Sequence, residues 1–198
     1  GAISNFDLGG FIERPDWLSS VAFWYQYPPA TFTEPLPPAD KRIAPYRVID
    51  PTTLKYRADP PLIVMPTELG LAYIPNSPKA SFELDFEVAE PGRYNITGIF
   101  MYGIVAGVYQ PFLDGKMIGG PIDFVMVNYS PGFTSLDTHE LEAGTHTLRF
   151  ESVPDYNPPA ARIPGPKFYG LNVVRLLLLR LDDMAGYLEI SRELLKKK

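Results

Sequence analysis

Hydrophobic and polar positions alternate with a period of two through the middle of this chain, the pattern of β-strands with one dry face. Phe82, Leu84, Phe86 and Val88 interleave with Glu83, Asp85 and Glu87. Glu90-Pro91-Gly92 then turns the chain into a second strand over 94–101. Asp114-Gly115 signals a two-residue hairpin between 109–113 and 116–118. Ala143-Gly144 predicts another, joining 136–142 to 145–151, with Leu141 opposite His146 and His139 opposite Leu148. Residues 172–179 are almost continuously apolar, as in a central strand. Short strands at this spacing predict a mainly β fold, a jelly-roll-like β-sandwich.

The two ends follow other patterns. Val21, Phe23 and Tyr25 alternate with Ala22, Trp24 and Gln26, a strand apolar on both faces. Residues 28–66 hold 10 of the 22 prolines. Pro28-Pro29, Pro37-Pro38 and Pro60-Pro61 fix φ and remove donors, so an extended arm with no long ladders is expected there. At the other end Asp182-Asp183 opens a helical stripe of Met184, Leu188, Ser191 and Leu195, closed by Lys196, Lys197 and Lys198. Acids first and bases last suit a helix dipole, which predicts a C-terminal α-helix. The expected organisation is an N-terminal extended arm over 1–45, a β-sandwich module over 46–180 and the helix over 181–198.

Composition narrows the function. The chain has 198 residues, 45% of them hydrophobic, enough for one real core. A net charge of −5 argues against nucleic acid or an anionic membrane as partner. The absence of cysteine excludes disulfides and thiolate metal sites, and fits a periplasmic or extracellular protein. The apolar run 176–179 is too short to span a bilayer. Gly1-Ala2 reads as a processing scar.

Glycoside hydrolysis needs two carboxylates flanking a sugar bond. Glu13, Asp16, Glu34, Asp114, Asp123, Asp137, Glu140 and Asp155 are available, but no spacing marks a pair. Asp114 is explained by its turn and Glu140 by an exposed strand position, so no catalytic residue is assigned. There is no nucleophile elbow, phosphate-cradling loop or dinucleotide fingerprint. His139 and His146 are expected to be half-buried and hydrogen-bonded at a sheet end; no transition metal and no cofactor is expected, while a structural calcium ion in a loop stays open. Aromatic rings are the remaining hint, because the C–H faces of sugars stack on them. Tyr102, Tyr109, Phe112, Tyr129, Phe133, Tyr156 and Tyr169 fall near strand ends. Of these, Tyr102, Tyr109, Tyr129, Tyr156 and Tyr169 are the candidate ligand-binding residues.

Two stretches carry a family resemblance. Ser19-Ser20-Val21-Ala22-Phe23-Trp24-Tyr25-Gln26 followed by Pro28-Pro29 resembles the closing strand of a jelly-roll catalytic domain. The family is that of the α-fructofuranosidase and difructose-anhydride glycoside hydrolases, long classed as a domain of unknown function. The ordered series Glu90-Pro91-Gly92-Arg93-Tyr94, Tyr102-Gly103-Ile104, Phe112-Leu113-Asp114-Gly115-Lys116, Gly119-Gly120-Pro121-Ile122-Asp123 and Leu141-Glu142-Ala143-Gly144-Thr145-His146-Thr147-Leu148 resembles the accessory β-sandwich of its larger members. The family's Gly-Thr-Glu-Asp-Tyr segment has no counterpart here, so no catalytic residue carries over. The resemblance implies a non-catalytic accessory module that binds carbohydrate or organises an enzyme. Two alternatives stay open: a subunit of a split glycoside hydrolase completed by a partner chain, and a purely structural interaction domain. Carbohydrate is the expected partner, and 19–26 or the C-terminal helix would mediate any homo-oligomer.

Overall fold

Strict alternation makes Ser81–Val88 a strand with one dry face: Phe82, Leu84, Phe86 and Val88 are buried, and the residues between them are not. The same logic repeats along the computed structural model, which describes residues 46–75, 77–154 and 168–184. Among these residues twelve strands follow one another: β1 (Arg47–Ile49), β2 (Lys55–Asp59), β3 (Ile63–Thr67), β4 (Gly70–Ile74), β5 (Ser81–Val88), β6 (Gly92–Tyr102), β7 (Val108–Leu113), β8 (Lys116–Met117), β9 (Ile122–Asp123), β10 (Ser130–Leu141), β11 (Gly144–Ser152) and β12 (Leu171–Arg180).

The strands form two antiparallel sheets. The first has the order β10-β6-β12-β4-β3, with β1 also on β12; the second has β2-β5-β11-β7-β8, with β9 on β7. Their facing sides interdigitate into one core, as in a β-sandwich. Phe100 of β6 meets Phe150 of β11 edge-on, ring centres 5.5 Å apart, and Tyr73 of β4 stacks on Phe82 of β5 at 5.2 Å. Such pairs add about 0.5–1.5 kcal/mol each beyond the area they bury. The outer faces differ. On the second sheet Arg57 forks across Asp85 at 2.7 Å and reaches Glu83 at 2.5 Å, holding the Asp85 carboxyl below the usual carboxylate range. On the first sheet Ala72, Ile99, Leu177 and Leu179 are buried although they lie outside the core between the sheets.

The apolar run over 172–179 is central, as its composition predicts. β12 pairs with β6 along one edge; along the other it pairs first with β4 and then with β1. The Asp114-Gly115 hairpin is also present, with Leu113 opposite Lys116. The Ala143-Gly144 hairpin is not. β10 pairs with β6 in the first sheet, whereas β11 pairs with β5 and β7 in the second. His146 lies opposite Phe86, not Leu141, and His139 lies opposite Tyr94, not Leu148. The Glu142-Ala143 corner reverses the chain but carries it across to the other layer. Leu141 and Leu148 then face each other's sheets through the shared core instead of lying side by side.

The proline-rich stretch also departs from expectation after residue 46. β2 forms one edge of the second sheet, β3 one edge of the first, and Pro60-Pro61 lies between them. Prolines are tolerated here because both strands are edges, where a missing donor costs no ladder bond. At the C-terminal end Leu181–Met184 is a single 3-10 turn. The rest of the predicted helix, the arm over 1–45 and the strand over 19–26 lie outside the described residues. Among the described residues no helix is long and apolar enough to cross a membrane.

Gly70 and Gly115 both sit at positive φ, +107° and +76°, but in different surroundings. A Cβ on Gly70 would lie 2.2 Å from the Val173 carbonyl oxygen; one on Gly115 meets nothing within 4 Å. Gly115→Ala is therefore expected to cost only the backbone strain, about 1–2 kcal/mol, and Gly70→Ala clearly more. Urea unfolding midpoints of the two variants check this; equal losses would show that β4 can move away from β12.

Candidate functional site

β6 ends, β7 begins, β9 ends, and β10 and β12 begin at the same end of the sandwich, so three connecting segments converge there. They are residues 103–107, 124–129 and 168–170. Backbone hydrogen bonds tie them together. Gly103 N–H donates to Phe124 O at 3.0 Å and Met126 N–H to Gly103 O at 3.2 Å. Gly170 N–H donates to Val105 O at 2.9 Å and Gly107 N–H to Gly170 O at 2.8 Å. Loops paired in this way resemble a small sheet more than free connections.

Tyr129 stands on this platform. A Cβ on Gly103 would lie 2.6 Å from its Cε1 and 2.7 Å from its Cδ1, so one side of the ring rests where only a glycine leaves room. The ring is otherwise open, with the residue 56% exposed. Ile104, Val105, Val125, Met126, Val127 and Phe168 are exposed on the same three segments. Exposed apolar side chains thus share these three tied segments with Tyr129. Large exposed apolar patches on a soluble domain mark binding or interaction sites.

The other predicted residues behave differently. Tyr109 is fully buried in the core, and its hydroxyl donates to the Tyr169 carbonyl oxygen. It offers no ring face to a ligand, because β7 turns it inward between the sheets; burial pushes its phenol far up. Tyr102 is half-buried: its ring covers Gly132, meets Phe124 edge-on at 5.4 Å, and its hydroxyl shares a 2.7 Å hydrogen bond with Thr134. Burial raises its phenol as well. Tyr169 is half-buried and serves the loop through its carbonyl. Phe112 lies under the Arg149 guanidinium at 4.7 Å, and Phe133 sits in β10 opposite Ile99. Tyr156 lies outside the described residues. The structure thus brings Tyr129, Tyr102 and Tyr169 to one end, and of the three Tyr129 is the exposed one.

Phe168, Ile104 and the Val125-Met126-Val127 run escaped the sequence reading. One signal was available: residues 124–127 are continuously apolar between Asp123 and Asn128, too short and too unpatterned for a strand.

Among the described residues the candidate acids are dispersed; Glu13, Asp16, Glu34 and Asp155 lie outside them. Asp123 accepts Val125 N–H at the loop end, whereas Asp114 lies in the hairpin turn at the opposite end. Asp137 has a φ of +63° within the irregularity of β10, and Glu140 is exposed on the same strand. The histidines are half-buried and hydrogen-bonded. His139 Nε2 lies 2.6 Å from Leu136 O, and His146 lies between Asp114 and Glu142 O. Among the described residues no group of three or more His, Asp or Glu stands ready for a metal ion.

No protein-family model and no curated protein sequence matches the chain. Among solved structures it is similar to a Paenibacillus xanthan lyase, with 16% identity and a TM-score of 0.52 over 76% of this chain. The match spans 14% of the lyase. It is also aligned with the CBM36-1 domain of a multidomain xylanase from the hindgut metagenome of Trinervitermes trinervoides, at 11% identity and a TM-score of 0.45, over 67% of this chain and 95% of that one. A family 35 carbohydrate binding module from Clostridium thermocellum aligns at 14% identity and a TM-score of 0.42, over 68% and 98%. The protein is a mainly β sandwich of two antiparallel sheets, a fold it shares with part of the xanthan lyase.

The Tyr109 hydroxyl holds the 168–170 segment to the platform. Tyr109→Phe should leave the Tyr169 carbonyl without its donor and cost about 1–3 kcal/mol. Hydrogen exchange at Gly170 and Gly107 should quicken more than at the core of β5. A uniform change across the sandwich would show that the hydroxyl does not act locally.

Proposed function

We propose that this chain is a non-catalytic accessory module of a carbohydrate-active enzyme, and that it binds carbohydrate on Tyr129. One observation carries this reading: the Tyr129 ring lies against the Gly103 backbone, with the residue more than half exposed at the end of the sandwich. A ring held in this way is pre-organised for stacking and loses little freedom when a sugar docks. One stacked ring with a few hydrogen bonds gives weak binding, about millimolar, or roughly −4 kcal/mol. Sharing a fold with one part of a xanthan lyase suits a module carried by a larger enzyme.

The resemblance of 19–26 and of the series between Glu90 and Leu148 to the α-fructofuranosidase family makes a fructoside hydrolase the enzyme this module would serve. The same reading places the protein in the periplasm or outside the cell. It divides the chain into the arm over 1–45, the sandwich module over 46–180 and the tail over 181–198. The arm or the tail would join copies.

The aliphatic neighbours of Tyr129 favour a second reading, a purely structural interaction domain. Ile104, Val105, Val125, Met126 and Val127 offer sugar hydroxyls no hydrogen bonds, but they would bury well against another protein surface.

NMR titration with fructo-, xylo- and xanthan-derived oligosaccharides separates the two. Sugar binding predicts shifts at Tyr129 that saturate in the millimolar range and vanish in Tyr129→Ala. They should also vanish in Gly103→Ala, where the ring remains but loses its seat. Both variants should stay folded by circular dichroism. No shift with any sugar, together with self-association that Val127→Asp abolishes, would sink the sugar reading.

A further inference from the structure

We propose that His146 is a protonation-dependent latch that closes the tip of the β7–β8 hairpin onto the corner between β10 and β11. This latch lies at the end of the sandwich opposite Tyr129 and does not depend on the sugar reading. Both ring nitrogens of His146 face acceptors. Nδ1 lies 2.6 Å from Asp114 Oδ2 and Nε2 lies 2.8 Å from Glu142 O. A neutral imidazole has only one N–H and would leave one of these contacts without a proton; the imidazolium satisfies both.

The contact is built into the backbone on each side. Asp114 Oδ1 accepts Thr147 N–H at 2.8 Å, and Asp114 N–H donates to Thr147 O at 2.9 Å. The groups in contact with the ring are acceptors, a carboxylate or a neutral ring. The hairpin turn supplies the Asp114 carboxylate, and the corner supplies the Glu142 carbonyl. β5 supplies the Phe86 ring, 5.8 Å away between centres, and the Glu87 carboxylate. Glu87 itself accepts Thr145 Oγ1–H, while Arg47 donates to its backbone carbonyl and so brings a cation to that strand.

Burial disfavours the charged ring, but the Glu142 carbonyl and the carboxylates of Asp114 and Glu87 outweigh it, and the His146 imidazole titrates above its ordinary value. The sign follows. A folded-state value above the unfolded one, about 6.5, gives stability fully present below 6.5 and lost as pH rises through the folded value. Opening stays local. At the other end of the hairpin the buried Gln110 amide donates to Pro111 O and Ile118 O at 3.1 Å, neither of which titrates.

NMR titration of the two imidazoles in the full chain tests this directly. His146 should be doubly protonated at pH 6 and titrate with a midpoint above about 6.5. Asp114→Asn should lower that midpoint and leave His139 unmoved. Exchange protection of the Asp114 and Thr147 amides should fall as pH rises through the midpoint, while that of Ile118 N–H, bonded to Pro111 O, holds. A wild-type His146 midpoint at or below about 6.5, or a single neutral tautomer at pH 6, overturns the latch whether or not the variant folds. Equal loss of protection at Ile118 would overturn the claim that opening is local.

Discussion

The pairing of β12 on both edges is the constraint from which the rest of the sandwich follows. A buried strand must place every backbone donor and acceptor, since leaving one unpaired costs as much as a lost hydrogen bond. β12 finds strand partners along both edges, β6 on one side and β4 and then β1 on the other. Its register with β6 shifts between Val173 and Arg175, and Gly70 approaches the backbone at that point more closely than any side chain allows. Val173, Leu176 and Leu178 then enter the core, and Leu171 brings the 168–170 segment to the loop end.

From that strand outward the molecule is asymmetric. The first sheet is apolar on both faces along its centre, where Leu177 and Leu179 are as well buried as their core-facing neighbours. The second sheet carries an outer lattice of charge, with Arg57, Glu83, Asp85 and Thr147 joined across three strands. Such exposed pairs contribute little stability. The two ends differ as well. One is apolar and stacks a tyrosine; the other is polar and joins a histidine, an aspartate and a backbone corner.

That polarity has a consequence for how the ends can act. The loop end is held by backbone bonds, by the uncharged Tyr109 hydroxyl and by the Asp123 carboxylate on Val125 N–H. The hairpin end is held through an ionisable ring, so in the proposed latch its closure responds to pH. The proposed binding on Tyr129 and the proposed opening at His146 therefore lie at opposite ends, with the core between them.

Sequence by itself determined what each strand does with its own faces. Alternation from Phe82 to Val88, the continuous run over 172–179 and the Asp114-Gly115 turn all rest on neighbours within a few residues, and all appear as the pattern predicts. It also foretold half-buried, bonded histidines, because their apolar neighbours share the face. Tertiary structure alone decided which layer a strand joins. Ala143-Gly144 encodes a reversal, but nothing local says whether β11 pairs beside β10 or crosses to β5. The same gap separated Tyr109 from Tyr129. Both sit near strand ends, yet one meets the opposite sheet and the other meets Gly103, 26 residues earlier in the chain. Periodicity reports the dry side of a strand; whether a ring on it is core or surface depends on what the rest of the chain brings to that side.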